Sequence, residues 1–215
     1  MRGLTDRAYR LRYEDAPDGV HQFCGESDLA GAWCYTCNKR LLHVLTLSPA
    51  DKALRGIEIA TPLFVCWTCN FIQAPFSYSF DANSISLIEA RRGGSEHDFP
   101  YPSYPEFFPG SRATLMPLPT DFLEKLQNIN AGSYKEDYFA AGLMTPKHQV
   151  GGIPLLRSFR EESVSCPKCG EEMPFLAAVA NDNLDERGFT ENPFVQVLYF
   201  LCSRCRVIAG QQDTD

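Results

Sequence analysis

Apolar residues in this chain gather into short runs bounded by cysteine pairs and turn residues, not into long amphipathic repeats. Leu41-Leu42-His43-Val44-Leu45, Leu63-Phe64-Val65, Met173-Pro174-Phe175-Leu176-Ala177 and Val197-Leu198-Tyr199-Phe200-Leu201 each read as a buried strand. The stretch from Ile59 to Phe80 carries no charge but is broken by Pro62, Asn70, Gln73 and Pro75. It predicts strand, metal turn, strand, because a membrane helix needs about 20 mainly apolar residues in a row. Helical signals are few. Asp121 with Glu124 resembles a capping box, with Phe122, Leu126 and Ile129 on one face. Ser133 with Glu136 forms a second box ahead of Tyr138, Phe139 and Leu143. Ser48-Pro49 with Asp51 predicts the start of a third, short helix. From Gly93 to Pro119 the chain is dense in Pro, Gly and aromatics, and the prolines argue against helix and central strand. This segment predicts an ordered loop that packs on the core or presents a binding surface. Asp182 to Glu191 is polar and reads as a loop between strands.

The cysteines impose an order on these runs. Eight of nine form Cys-x-x-Cys hooks: Cys34/Cys37, Cys66/Cys69, Cys166/Cys169 and Cys202/Cys205. A hook turns two thiolates toward one ion, and a closed tetrahedral zinc site takes four. The turn favours a residue that tolerates positive φ after the second cysteine. Asn38, Asn70 and Gly170 stand there, with Arg206 the departure. In each half a hook is followed by an apolar run, then a spacer, then an apolar strand leading into the next hook. Each half reads as knuckle, strand, loop, strand, knuckle, with the two strands antiparallel neighbours, an internal duplication. The count implies two structural Zn2+. Four hooks can be joined in three ways; the repeat favours sequential pairing. A single pair would equally suit a redox dithiol, and iron is chemically possible in a four-cysteine site. Cys24, left over, suits a small buried hydrophobe.

Charge narrows the function. The 20 Lys+Arg and 27 Asp+Glu leave a net charge of -7, without the basic face that binding to a phosphate backbone requires. The charged segment from Met1 to Asp15 lacks the apolar core of a secretory signal, so the expected setting is a reducing cytoplasm. No His-x-Glu, His-Glu-x-x-His, Gly-x-Ser-x-Gly or phosphate-loop motif is present. His21, His43, His97 and His148 read as structural, and Gly151-Gly152 as turn glycines.

The second half carries a resemblance. The order Lys147-His148-Gln149-Val150-Gly151-Gly152-Ile153-Pro154, Cys166-x-x-Cys169, Met173 to Leu176 and Leu198 to Cys202-x-x-Cys205 resembles the YwqG-like family of bacterial proteins. It is also similar to the first repeat of the programmed cell death protein 2 family. The match covers about 60 residues of the 215. The chain departs from the family pattern where Leu155-Leu156-Arg157 replaces a Trp and a Gln, and where Ala177-Ala178 replaces a closing Gln. The resemblance implies a β-rich fold and protein binding, not catalysis. Bacterial relatives are proposed immunity proteins beside toxins; the eukaryotic ones are similar to chaperones for a ribosomal protein.

The expected fold is therefore α+β and β-rich: two repeated zinc-clasped antiparallel β units with a few short helices. The units would be 1–90 and 147–215, joined by a Pro/aromatic and helical segment 91–146, together one compact domain. The expected function is a non-enzymatic immunity protein that binds and neutralises a cognate basic toxin. The alternatives are a chaperone or adaptor for a basic protein such as a ribosomal protein, and a nucleic-acid-binding zinc ribbon. Candidate partner contacts are Phe99, Tyr101, Tyr104, Phe107 and Phe108, which equally suit core packing, and Asp182, Asp185 and Glu186, which equally suit a solvated loop.

Overall fold

The structure, a computed structural model, describes residues 3–13, 16–66, 69, 76–90, 106–130, 148–156, 163–180 and 196–213. Their strands are β1 (Ala8–Arg12), β2 (His21–Phe23), β3 (Trp33–Cys34), β4 (Lys39–Arg40), β5 (Leu42–Leu47), β6 (Thr61–Val65), β7 (Phe76–Phe80), β8 (Ile85–Ala90), β9 (Ser111–Pro117), β10 (His148–Gly151), β11 (Phe175–Ala180), β12 (Gln196–Cys202) and β13 (Val207–Asp213). One helix, α1 (Phe122–Asn130), is found among the described residues. The fold class is thus nearly all β, which corrects the expected α+β arrangement with several helices. Ser48-Pro49 opens no helix. Residues 48–57 instead make successive four-residue turns, Ser48 to Asp51, Asp51 to Leu54 and Leu54 to Ile57. Asp51 is drawn away from a helix-capping role because its carboxylate holds His21 and the Ala53 N–H. The helix expected after Ser133 lies outside the described residues. The α1 helix does form, burying Phe122 and Leu126, while Asp121 pairs with Lys125 one turn on.

Eleven strands make one antiparallel sheet in the order β6-β5-β2-β9-β1-β10-β11-β12-β13-β7-β8. Strand β9 corrects the reading of 93–119 as loop throughout. It lies inside the sheet, pairing with β2 through Ser111 to Ala113 and with β1 through Thr114 to Pro117. The prolines did not forbid it because the one within the strand, Pro117, is its last residue, where a missing N–H costs little.

The hooks bring strands together in pairs. β5 is the antiparallel neighbour of β6, and β11 of β12. Each pair carries a register shift at one position, between His43 and Leu45 in β5 and between Phe175 and Ala177 in β11. His43 and Phe175 each stand six residues beyond the second cysteine of their hook. An inserted residue bends a strand and increases its twist, so the duplicated units share a deformation that apolar patterning does not reveal. β2 beside β5 matches β10 beside β11 in the same way.

The sheet is curled enough that its end strand β6 returns against β13 and within reach of Tyr78 on β7. Tyr78 on β7 closes this seam. Its hydroxyl accepts the Phe64 N–H at 2.9 Å and donates to the Pro62 carbonyl at 2.8 Å. The main core lies inside the curl, with Val197, Tyr199 and Leu201 of β12 facing it. Leu198, Phe200 and Cys202, alternating with them, face a smaller cluster with Phe175, Met173 and Leu156 on the other side. β12 is buried on both faces, which is why it reads as a continuous apolar run.

Gly151 and Gly152 are the turn that ends β10. Both have positive φ (69° and 66°). A Cβ on Gly151 would stand 2.0 Å from Thr5 Oγ1, and one on Gly152 2.7 Å from the Ala8 Cβ. No larger residue fits this approach to the N-terminal segment.

Candidate metal centres

Cys34 sits at the end of β3 and Cys37 just before β4; Cys66 directly follows β6, with Cys69 three residues on. These four sulfurs lie within 4.8 Å of one another, as do those of Cys166, Cys169, Cys202 and Cys205. The structure therefore joins the first hook to the second and the third to the fourth. Four thiolates at about 2.3 Å from a central ion stand about 3.8 Å apart. The contacts Cys34 to Cys69 (3.6 Å), Cys37 to Cys66 (3.5 Å) and Cys169 to Cys202 (3.8 Å) match that edge. Both groups can hold a metal ion.

The hook turns follow from local backbone geometry. The residue after the second cysteine has positive φ at Asn38 (57°), Gly170 (75°) and also Arg206 (51°). The left-handed turn is thus kept at the fourth hook despite its side chain. The Asn38 N–H bonds the Cys34 carbonyl and the Gly170 N–H the Cys166 carbonyl, both at 2.8 Å. Trp33 Nε1 donates to Asn38 Oδ1 at 2.9 Å and braces the first turn.

The donor chemistry fits a cation. Hydrogen bonds from Cys37 and then Cys66 hold the Cys34 thiol down at about 2. The Cys37 thiol is pushed up to about 11, chiefly by its bond to Cys34, and Cys66 is driven up for the same reason. Cys34 and Cys69 are held down while Cys37 and Cys66 are pushed up, because adjacent thiolates repel and cannot all ionise together. A dication in their midst replaces the remaining protons and lets all four ionise. The second group has a further device. A backbone N–H from Glu171 and then the Arg204 guanidinium pull Cys169 down to about 6. Arg204 lies within its own hook, Cys202-Ser203-Arg204-Cys205, and also reaches Cys205. Motif reading overlooked it, because the two residues between the cysteines are otherwise unconstrained by the turn.

The two groups differ in setting. Cys34, Cys66 and Cys69 are fully buried in the main core, whereas Cys166 and Cys202 belong to the smaller cluster and Cys169 and Cys205 are half-buried. Cys24 lies apart from both. It is fully buried, takes φ 53°, and points its thiol at the Val44 carbonyl; burial pushes its pKa far up. That is no nucleophile.

The described histidines are structural. His21 is fully buried; its Nδ1 accepts the Ser48 N–H and its Nε2 meets Asp51 Oδ2 at 2.9 Å. Both ring nitrogens are committed, so this Asp–His pair has no free lone pair for a substrate proton. His148 is buried against Tyr13 and Phe23, and its Nδ1 accepts the Ala180 N–H. His43 is buried with Nδ1 donating to the Cys24 carbonyl and Nε2 accepting from Thr46 Oγ1. His97 lies outside the described residues. Burial holds the His43 pKa down at about 4, below its ordinary 6.5. A neutral buried imidazole stabilises the fold fully above the unfolded value, and this is lost as pH falls from about 6.5 through 4. The shift corresponds to ~3 kcal/mol. Denaturant titrations at pH 7 and pH 4.5 should show His43→Gln with a shallower loss of stability than the parent.

Of the candidate partner contacts, Phe108 is buried in the core and Phe107 is exposed. Phe99, Tyr101, Tyr104, Asp182, Asp185 and Glu186 lie outside the described residues. A half-open cleft of about 290 Å³ beside the second cysteine group is lined by Ile57, Glu58, Phe80, Leu201, Arg204 and Arg206 among others. No helix of the described residues is long and apolar enough to cross a membrane. No protein-family model matches the chain, and no curated protein or solved structure proves similar to it.

Proposed function

We propose that each four-cysteine group holds one structural Zn2+, and that the chain is a non-enzymatic, zinc-clasped scaffold that binds and neutralises a basic toxin protein. The observation that carries the metal reading is the pair of closed all-sulfur donor sets. A catalytic zinc keeps a position open for water, usually among His or carboxylate ligands, and each group here supplies four sulfurs to a four-coordinate ion. The locked His21–Asp51 pair supports a role without turnover. The net charge of -7 supports a basic partner, since opposite charge steers encounter. The toxin itself rests on the YwqG-like resemblance of the second half. The similarity to the programmed cell death protein 2 family favours a second reading, a chaperone or adaptor for a basic protein such as a ribosomal one.

Elemental analysis of protein purified without added metal should find two zinc ions per chain; none or one would defeat the metal reading. Affinity capture from the native cell with mass spectrometry should recover one basic toxin. A ribosomal protein in its place would select the chaperone reading. Nucleic acid, released steeply by salt, would defeat both.

A further inference from the structure

The sheet has two ends, and they are sealed differently. The β6 end is closed from within by Tyr78. At the other end, the outer side of β8 is covered by the segment 30–36, which leads into the first hook. Ala30 bridges Ser84 in parallel fashion; its N–H bonds the Asn83 carbonyl at 3.0 Å and its carbonyl takes the Ile85 N–H at 2.8 Å. Gly31 fits here because it lacks a side chain: a Cβ would stand 2.1 Å from the Ile85 carbonyl oxygen, at φ 79°. Between the two cysteines of the hook, Thr36 Oγ1 donates to the Ala90 carbonyl at 2.8 Å and Tyr35 makes a longer bond, 3.4 Å, to the Ile88 carbonyl. The cover is thus flanked and held by Cys34 and Cys37, two ligands of the first site.

We infer that the first metal site is a latch over the open end of the sheet, and that its release turns β8 into a pairing edge for a second copy of this chain. This rests on zinc occupying the first site and is independent of the toxin. An uncovered edge strand presents a row of unpaired N–H and C=O groups, a template for another strand. The residues Ile85-Ser86-Leu87-Ile88-Glu89-Ala90 suit self-pairing: they are apolar or small, without Pro, and carry one charge. That one charge, Glu89, is the only one that opposes pairing along this edge.

The test uses the zinc-loaded full chain and variants that keep all eight hook cysteines. Gly31→Ala should push the cover off β8 while elemental analysis still finds the parent's zinc content. Its Ile85 amide should exchange hydrogen about tenfold faster or more, and sedimentation should show dimers or larger species. Thr36→Val, which removes one donor without strain, should accelerate exchange at the end of β8 less. Adding Ser86→Glu to Gly31→Ala, which puts a second carboxylate at an exposed position of this edge strand, should restore the monomer. A monomeric Gly31→Ala and Thr36→Val pair whose β8 amides exchange as slowly as the parent's would overturn the latch. So would self-association that Ser86→Glu leaves unchanged. A parent protein that contains no zinc would instead defeat the metal reading, which the elemental analysis reads separately.

Discussion

Cys66→Ser is expected to abolish the native fold, whereas Cys24→Ala leaves it standing. Both residues are fully buried in the same core, so the contrast isolates the metal from mere burial. Losing one of four ligands forfeits most of a binding free energy on the order of 10 kcal/mol in small zinc domains. A typical domain has only about 5–15 kcal/mol of net stability. The three remaining thiols would also stay crowded in the core with no cation to share. Cys24 contributes only packing and a long thiol contact of 3.7 Å to Val44, and its removal should cost about 1–2 kcal/mol. Cys202→Ser should be the milder of the two ligand losses, because its site belongs to the smaller cluster. Near-UV circular dichroism, denaturant melts and zinc content would check all three. A Cys66→Ser protein that melts like the parent would show the first site to be dispensable.

Tyr78→Phe is expected to cost about 2–5 kcal/mol through two orphaned backbone groups. The hydroxyl is fully buried and serves the Phe64 N–H and the Pro62 carbonyl of the end strand β6. Phenylalanine fills the same volume, so packing is kept and only the polar partner goes. Phe64 is itself fully buried, leaving its N–H no water to turn to, and an unmet buried donor loses its full solvation. Urea melts of parent and variant give the difference directly. A loss under about 0.5 kcal/mol would show that the seam between β6 and β7 closes without the tyrosine.

The hooks were legible because their chemistry is local. A Cys-x-x-Cys turn is set by four or five neighbouring residues, and positive φ is met where Asn38 and Gly170 stand. The adjacent apolar strands were legible too, since a strand buried on both faces, such as β12, is a run of apolar residues that needs no tertiary knowledge. The polar strands in the middle of the sheet were not. β1 alternates Tyr9, Arg10, Leu11 and Arg12 in a segment dominated by charge, and β9 hides in a proline-rich stretch with Ala113 its one fully buried residue. Such strands exist because their neighbours need partners for backbone groups, a requirement that no window of the sequence contains.

By itself, then, the sequence determined the identity of eight candidate ligands, the duplication that sorts them into two sets, and the strands adjoining them. Each of these depends on contacts a few residues apart or on a repeated pattern. Tertiary structure alone decided how those units join. It placed β7 and β8 of the first half beside β13 of the second, curled the sheet until Tyr78 could reach β6, buried one cysteine group deeper than the other, and laid the segment before Cys34 over β8. It also replaced the expected helix at Ser48 with turns around a buried His21. These outcomes turn on pairings between residues far apart in the chain, whose energy lies in shared backbone hydrogen bonds and buried area, and neither quantity exists until the distant partner is in place.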